Sequence, residues 1–239
     1  MKLAIIGTGN VATNIYNTLK EKDIMVEMFS SRSGLESLPQ DYDVYIYAVR
    51  DEALREVAGK VHVQPRALHL HTSGTMPLTV FCADKPHCGV LYPFQTFSKD
   101  RLTDFSRVPV FVEAANIDDI AAVYSVALTL SEHVYETNQT ERQQLHLAGV
   151  FASNFANFMY ATAADLLKDT HIPFSSLLPL IDETATKVHQ LTPHEAQTGP
   201  ARRHDNNVIA GHLSLIKNDS QRQIYQLLSE CIKNQYTIR

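Results

Sequence analysis

Short apolar runs alternate with amphipathic stretches along the first half of the chain. The amphipathic stretches repeat their apolar positions at helical spacing and predict helices at 10–20, 51–61 and 117–131. The apolar runs predict strands at 3–6, 24–29, 43–49, 66–72, 87–93 and 108–114, with an edge strand at 133–137. Strands that alternate with helices indicate right-handed crossovers, and therefore a mostly parallel sheet covered on both faces.

The second half of the chain shows helical patterns and no strand. Asn138 and Glu141 have the spacing of a capping box, and a helical pattern follows them over 139–169. Such a helix would be about 45 Å long, which suits the spine of a helical domain or a dimer interface. Further helices are predicted at 175–190, 201–217 and 219–234. We therefore expect an α/β domain over 1–137, an all-α domain over 138–239, and a homodimer formed through the helical domain.

Composition excludes several classes of partner. Of 239 residues, 44% are hydrophobic and 20% are charged, and the formal net charge is −5, as in an ordinary soluble domain. No run of Lys or Arg suggests a nucleic acid or an anionic membrane, and no apolar stretch is long enough to span a bilayer. The three cysteines, Cys82, Cys88 and Cys231, and the histidines show no metal-ligand spacing. We expect a cytoplasmic protein with reduced thiols and no metal.

The segment "GTGNVA" lies between the first predicted strand and the first predicted helix. In a G-x-G-x-x-A turn, Gly7 allows the tight turn, Gly9 lets the backbone approach a pyrophosphate, and Ala12 lets the helix pack closely on the strand. The N-terminus of the helix then offers free N–H groups to the phosphates. The motif predicts a Rossmann-type dinucleotide site with contacts from Gly7, Thr8, Gly9, Asn10 and Val11. A purely structural glycine turn is the alternative.

The end of the second strand indicates which dinucleotide binds. NAD sites have an acidic residue there for the ribose hydroxyls, whereas this chain has Ser30, Ser31 and Arg32. Hydroxyl groups and a guanidinium suit a 2′-phosphate, so the cofactor predicted is NADP. A solvated loop position for Arg32 is the alternative.

Two further loops follow predicted strands at the edge where ligands of such sheets bind. They are "AVRD" at 48–51 and "HTSG" at 71–74. They add Ala48, Val49, Thr72 and Ser73 to the predicted cofactor contacts. His71 has two interpretations, a buried histidine at a strand end or a catalytic group.

Together, "GTGNVA", "FSSRS", "AVRD" and "HTSG", followed by a helical domain, resemble the 6-phosphogluconate dehydrogenase-like superfamily, which includes the pyrroline-5-carboxylate reductases. "HLAGVFASNF" at 146–155 and "QTGPARRHDNNVIAGHL" at 197–213 are similar to segments of a bacterial family assigned as Rossmann-like NADP oxidoreductases with a helical domain of unknown function. The resemblance covers essentially the whole chain. That family more often has Arg-Gly-Asp where this chain has Arg203-His204-Asp205, which puts a glycine-dependent turn there in question.

The resemblance implies that polar residues of the long helix lie over the nicotinamide. A lysine found in related enzymes is absent here, and His146, Ser153 and Asn157 fall on one helical face, with Ser153 and Asn157 each within about 20° of His146 at 100° per residue. Asn154 belongs to the "SN" of the family segment. A histidine there suits proton donation as hydride arrives. Capping or bridging of neighbouring helices is the alternative for His146 and Asn157.

The cluster around "TGPARRHD" has two interpretations. Pro200 suits the first position of a helix, which would place Arg203 and Asp205 in its first turn, where the helix dipole disfavours arginine. The two side chains either form a structural ion pair, or Asp205 orients Arg203 toward a substrate carboxylate or a cofactor phosphate.

The sequence therefore predicts an NADP-dependent oxidoreductase that moves a hydride between NADPH and a C=O or C=N group of a small, anionic substrate held between the domains. Whether the protein is catalytic stays open at this point. A non-catalytic NADP-binding sensor or regulatory dimer is the alternative function. A structural dimerisation protein is a third, which the intact "GTGNVA" and "SSRS" segments disfavour.

Overall fold

A computed structural model describes residues 1–81 and 85–237 of the chain. Its first part contains one seven-stranded sheet with the order β2-β1-β3-β4-β5-β6-β7. β7 lies at one edge of the sheet, as predicted. The strands are β1 (Lys2–Ile6), β2 (Met25–Phe29), β3 (Val44–Tyr47), β4 (Leu68–His71), β5 (Cys88–Pro93), β6 (Val110–Ala114) and β7 (Val134–Glu136).

All neighbouring strands of this sheet are parallel except β5 and β6, which pair antiparallel. The connection between these two strands contains a short 3-10 helix at Phe105–Arg107 and no crossover α-helix. Because a parallel return needs a long crossover, the chain here turns back and pairs antiparallel. The prediction of a mostly parallel sheet is confirmed.

Three helices cover the sheet: α1 (Asn10–Glu21), α2 (Asp51–Lys60) and α3 (Ile117–Leu130). Because side chains alternate along a strand, Leu3 and Ile5 of β1 face a core shared with α1 and α3. Ala4 and Ile6 face the opposite core, which α2 completes. Both faces of the sheet are thus buried, which explains the continuous apolar runs of the central strands.

The rest of the described chain is helical. α4 (Gln139–Gly149) begins with the predicted capping box, in which Asn138 and Glu141 bond each other's backbone N–H groups. A π-helical segment (Val150–Phe155) follows α4 directly. The later helices are α5 (Ala156–Leu167), α6 (Leu178–Lys187), α7 (Pro193–Ala196), α8 (Asn206–Leu215) and α9 (Asp219–Gln235). The fold class predicted from the sequence, an α/β domain followed by an all-α region, is confirmed.

The chain divides into two compact units, Met1–Asn154 and Phe155–Arg239. This division falls later than the boundary that we expected at residue 137. Side chains of α4 explain the difference, because Arg142 and Gln143 bond the loop that follows β4. The predicted boundary marks where the sheet ends, whereas the first compact unit continues to Asn154, near the end of the π-helical segment. The functional division into 1–137 and 138–239 stays a prediction.

Two details of the predicted helices are wrong. The long helix over 139–169 is interrupted by the π-helical segment, in which the backbone bonds run from i to i+5 rather than to i+4. Pro200 does not open a helix either, because α8 begins at Asn206 and Asp205 caps it by accepting a bond from the N–H of Val208. His204 stands just before this cap with a φ of 55°, in the left-handed region. The turn is therefore formed with a histidine where glycine would carry less strain.

Two other features bear on the predictions from composition. In the part of the chain that the structure describes, no helix is long and apolar enough to cross a membrane. Cys88 is a buried free thiol and Cys231 an exposed one. Cys82 lies outside the described residues.

Candidate functional site

The strand order places a ligand crevice at one edge of the sheet. β1 lies between β2 and β3, so the chain leaves β1 toward one side and returns on the other. In open parallel sheets, ligands bind at such a switch point, beyond the carboxyl ends of the strands. Here those ends carry Gly7 after β1, Ser30 after β2 and Ala48 after β3.

A cleft of about 640 Å³ opens at this switch point, and we call it the glycine-loop cleft. Its walls combine the glycine turn, the end of β2 and the start of α2. The residues that line it are Gly7, Thr8, Gly9, Ser31, Arg32, Ala48, Val49, Arg50, Ala53, Glu56, Val57, Lys60 and Lys99. The structure thus brings seven of the predicted cofactor contacts together: Gly7, Thr8, Gly9, Ser31, Arg32, Ala48 and Val49.

The two glycines of the turn serve different purposes. Gly7 has a φ of 128°, and a Cβ atom there would lie 2.2 Å from the carbonyl oxygen of Ala48. Glycine at this position is therefore required by the fold. A Cβ atom on Gly9 would meet nothing within 4 Å. Gly9 therefore leaves open space at the cleft, into which a ligand can approach the backbone.

The start of α1 is suited to bind an anion. Gly9 is its N-cap residue and supplies no side-chain cap, and the first turn carries no acidic residue. The first N–H groups of a helix have no partner within the helix, and the helix dipole favours negative charge there. An anionic phosphate group would satisfy both. The residues present therefore fit a pyrophosphate.

Basic side chains surround the same cleft. Arg32, Arg50, Lys60 and Lys99 line it, and its one lining carboxylate, Glu56, is held by Lys60 at 2.6 Å. The hydroxyl of Ser30 accepts a bond from the backbone N–H of Arg32 at 3.2 Å, which helps to shape the loop that carries the guanidinium. The charge is that expected around a phosphate-rich ligand.

The remaining predicted cofactor contacts lie outside the lining of this cleft. The side chain of Asn10 donates to the carbonyl of Phe97, and Val11 packs against the core. Two other residues, Thr72 and Ser73, lie in the loop after β4. The Thr72 hydroxyl donates to the carbonyl of Tyr47 at 3.4 Å, and the Ser73 hydroxyl accepts from the N–H groups of Thr75 and Met76. Their contacts in the structure shape the loop, and a role toward the cofactor stays a prediction.

A second cleft, of about 250 Å³, lies between the end of β5 and α4, and we call it the Tyr92 cleft. Its walls are aromatic and polar. It is lined by Tyr92, Phe94, Gln95, Thr96, His146, Gly149, Val150, Ala152, Ser153 and Asn154. Three of the predicted catalytic residues, His146, Ser153 and Asn154, come together here.

Tyr92 and His146 form a hydrogen bond across this cleft. The tyrosine hydroxyl lies 3.0 Å from Nδ1 of His146. Tyr92 is buried, and burial raises the pKa of its hydroxyl to about 12. The phenol therefore keeps its proton at neutral pH. His146 is partly exposed and can reach a small molecule in the cleft.

His71 is a buried strand-end residue and not a proton carrier. It is fully buried, and its Nδ1 accepts a bond from the N–H of Ser73 at 3.2 Å. Burial, helped by the nearby charge of Arg142, lowers its pKa to about 3. The ring stays neutral at physiological pH, which supports the structural interpretation.

Arg142 is a buried position beside the loop after β4 that the sequence pattern did not single out. Its side chain is fully buried, donates to the carbonyls of Ser73 and Met76 at 3.1 and 2.9 Å, and pairs with Glu113 at 2.8 Å. Arg142 lies four residues, or one helical turn, before His146, and this spacing was the signal in the sequence that could have linked the two side chains. On an otherwise polar helix, however, an arginine is expected at the surface.

The other predicted catalytic residues, Asn157, Arg203 and Asp205, belong to the second unit. The π-helical segment between His146 and Asn157 departs from the 100° step on which their expected shared face was based, and the role of Asn157 stays a prediction. Within the described residues, Arg203 and Asp205 form no ion pair, since the Asp205 carboxylate caps α8. Their predicted role toward a substrate stays a prediction.

The fold and the glycine-loop cleft define a Rossmann-type dinucleotide-binding protein. The chain belongs to the family with the domain of unknown function DUF2520, whose model matches residues 108–232. A comparison with curated proteins finds no match.

Solved structures similar to the chain include a Bacteroides fragilis protein, BF3122, provisionally assigned as an NADP oxidoreductase. It is 41% identical, with 98% of each chain covered and a TM-score of 0.91. Protein TM1727 from Thermotoga maritima is 18% identical, with 98% of each chain covered and a TM-score of 0.73. A reductive aminase from Aspergillus terreus, in complex with NADPH and ethyl levulinate, is 13% identical over 98% of this chain and 92% of that one, with a TM-score of 0.69. The last two show a shared fold. The resemblance to the bacterial family of NADP oxidoreductases with a helical domain of unknown function is confirmed. The assignment of the Bacteroides fragilis protein names NADP, the cofactor that the sequence predicts.

Proposed function

We propose that the protein is an NADP-dependent oxidoreductase that transfers a hydride between NADPH and a C=O or C=N group of a small metabolite. The glycine-loop cleft carries this proposal, because it joins three independent features. These are the open space at Gly9, the uncapped start of α1, and a hydroxyl and a guanidinium at Ser31 and Arg32. The family assignment supports the same cofactor.

Each part of this cleft would hold a part of the dinucleotide. The N–H groups that open α1 would bind the pyrophosphate, and Arg32 with Ser31 would bind the 2′-phosphate. NADPH, when bound, supplies the hydride. The ends of β1 and β5 lie about 14 Å apart at normal strand spacing, with β3 and β4 between them. The Tyr92 cleft lies along the same edge, where a dinucleotide extending from Gly9 would bring its reactive end.

The Tyr92 cleft would accommodate the substrate, and His146 would donate the proton to the oxygen or nitrogen of the acceptor group. The described lining of this cleft contains polar but no basic side chain other than the histidine. It therefore suits the carbonyl or imine end of the substrate. Ser153 and Asn154 would orient that end through hydrogen bonds. An anionic group elsewhere on the substrate would need another partner, the role predicted for Arg203.

Replacing Arg32 by alanine is expected to weaken NADPH binding about tenfold to a hundredfold and to leave NADH binding within about twofold. The reason is that a charge-assisted bidentate contact to the 2′-phosphate is lost, while the ribose hydroxyls of NADH never used it. Isothermal titration calorimetry with both dinucleotides measures the difference. Arg66→Ala, which removes an exposed arginine outside both clefts, is the matched control.

Two outcomes of this titration would oppose the proposal in different ways. Failure of the unmodified protein to bind NADPH would contradict the whole assignment. Equal loss of NADPH and NADH affinity in the Arg32→Ala variant would remove only the role of Arg32 as a selector. Tight NADPH binding without oxidation across a panel of keto acids and imines would favour an NADP-binding sensor instead.

We also propose that the protein forms a homodimer through the helical unit. Large apolar side chains are exposed on several of its helices, including Phe158, Leu180, Leu215 and Leu227. Soluble monomers rarely leave so much apolar surface uncovered, and surfaces of this kind mark interfaces.

Light scattering after size-exclusion chromatography is expected to give about twice the chain mass of 26.8 kDa. Leu227→Glu should shift the protein toward the monomer, because a charge in an apolar interface lacks a partner. Leu128→Glu, at a similarly exposed leucine of α3, should not. A monomeric unmodified protein at micromolar concentration would contradict the proposal.

A further inference from the structure

Tyr92 and His146 meet at a point where three elements of the first unit converge. Tyr92 lies near the end of β5, His146 on α4, and Gly74 in the loop after β4. A Cβ atom on Gly74 would lie 2.7 Å from Nδ1 of His146 and 2.8 Å from Cζ of Tyr92. Any larger residue at this position would therefore displace the two rings. The loop is shaped to seat the pair.

The same loop is fastened to the helix that carries His146. Arg142, one turn earlier on α4, donates to the carbonyls of Ser73 and Met76, on either side of Gly74. Gln143 donates to the carbonyl of Thr75. The backbone around the seat is thus held to α4 by a buried, a partly buried and an exposed hydrogen bond, which fix it against the helix that carries His146.

The need of each polar group for a hydrogen-bond partner decides which of the two rings donates and which accepts. Tyr92 is a buried residue, and the hydrogen-bond partner of its hydroxyl among the described residues is Nδ1 of His146. If the hydroxyl only accepted a bond, its own hydrogen would have no acceptor among the described residues, which is unfavourable for a largely buried polar group. Burial also raises the pKa of Tyr92, so the hydroxyl carries its proton before the step begins. The hydroxyl therefore donates, and Nδ1 accepts.

We infer that Tyr92 is a positioning residue that holds His146 in one tautomer, with Nδ1 as acceptor and the proton on Nε2. This inference rests on the proposed function, in which His146 is the proton donor. The inference adds Tyr92, which acts through His146, and Gly74, which leaves the space that both rings occupy. In a neutral imidazole, one ring nitrogen accepts and the other donates, so fixing Nδ1 leaves Nε2–H as the donor for the substrate.

The proton balance of the step follows from this arrangement. As the acceptor carbon gains the hydride, its oxygen or nitrogen gains the proton from Nε2 of His146. The hydroxyl proton of Tyr92 passes to Nδ1, so the imidazole stays neutral. Nε2 then takes a proton from water while the Nδ1 proton returns to the phenolate, which restores the starting state. One hydride and one proton enter the substrate, and one proton leaves the solvent.

The structure offers a matched control for testing this inference. Tyr47 and His69 form a second pair of the same kind, with the tyrosine hydroxyl 2.8 Å from Nδ1 of the histidine. That pair is buried on β3 and β4, and neither residue lines the glycine-loop cleft or the Tyr92 cleft. Tyr47→Phe therefore removes the same chemical group from the same sheet without touching His146.

The experiment is long-range ¹H–¹⁵N NMR on the full chain labelled at histidine, at a pH above the ordinary histidine pKa, with His146→Gln used for assignment. The unmodified protein should show His146 as one tautomer, with the proton on Nε2. Tyr92→Phe should give a mixture of tautomers at His146, while Tyr47→Phe should change only His69. With a substrate in hand, Tyr92→Phe should lower kcat about tenfold to a hundredfold and change KM little.

Two results would overturn the inference: a proton on Nδ1 in the unmodified protein, or an unchanged single tautomer in Tyr92→Phe. Circular dichroism and urea unfolding establish that the variants are folded. Because the tautomer is measured without a cofactor, its outcome is independent of the NADPH titration.

Discussion

Replacing Arg142 by methionine is expected to lower the free energy of unfolding by about 3–5 kcal/mol. The arginine is fully buried, pairs with Glu113 at 2.8 Å, and donates to the carbonyls of Ser73 and Met76. Methionine fills much of the same volume but offers no donor. Glu113 would keep a largely buried charge without its partner, and two carbonyls would lose their bonds.

Urea unfolding followed by circular dichroism measures this loss. The double variant Arg142→Met/Glu113→Gln should recover part of it, because the unpaired carboxylate is then removed. Arg55→Met, at an exposed position of α2, should change stability by no more than about 0.5 kcal/mol. A loss below about 1 kcal/mol in Arg142→Met would mean that the buried charge is solvated in a way the contacts do not show.

The second large expected effect is a difference between Gly7 and Gly9, two glycines of the same motif. Gly7→Ala should destabilise the protein by about 3 kcal/mol or more, because its φ of 128° is strained for alanine and its Cβ would overlap the carbonyl of Ala48. Gly9→Ala should leave stability within about 1 kcal/mol, because its backbone is extended and its Cβ would meet no atom of the protein.

For NADPH binding, Gly9 should be the glycine whose replacement matters. In Gly9→Ala, the added methyl group would occupy the space that the pyrophosphate needs, so affinity should fall at least about tenfold in a folded protein. Calorimetry and urea unfolding on the same samples test both parts. Normal NADPH affinity in Gly9→Ala would show that the open space at Gly9 is not a ligand site. Normal stability in Gly7→Ala would mean that the turn has another accessible conformation.

Most of the fold and one side of the site could be predicted because their signals are local. The glycine turn, the strands on either side and the residues at their carboxyl ends are short patterns whose geometry follows from backbone chemistry. The strand order then brings these segments together, so that Ser31 and Arg32 line the same cleft as Gly7. A pattern within one segment thus predicted a site formed by several.

The features that escaped prediction depend on contacts between distant segments. Arg142 is buried only because two carbonyls and Glu113, far along the chain, lie opposite it. Tyr92 is one aromatic residue in an apolar strand, and its partner is 54 residues away. The π-helical segment lengthens the spacing of the backbone hydrogen bonds, yet no residue such as proline marks it in the sequence. No periodicity within one segment reports such pairings.

The two edges of the sheet also affect how the protein behaves at high concentration. β7 is only three residues long and ends at Glu136, and β2 at the other edge is five residues long. Short, charged edge strands give another chain little backbone to pair with, which limits sheet-to-sheet aggregation. Met25 and Tyr135 are exposed on these edge strands, but most of the large exposed apolar side chains lie on helices, whose backbone groups are already bonded. Association of this protein should therefore be governed by side-chain fit and remain reversible, rather than proceed to fibrils.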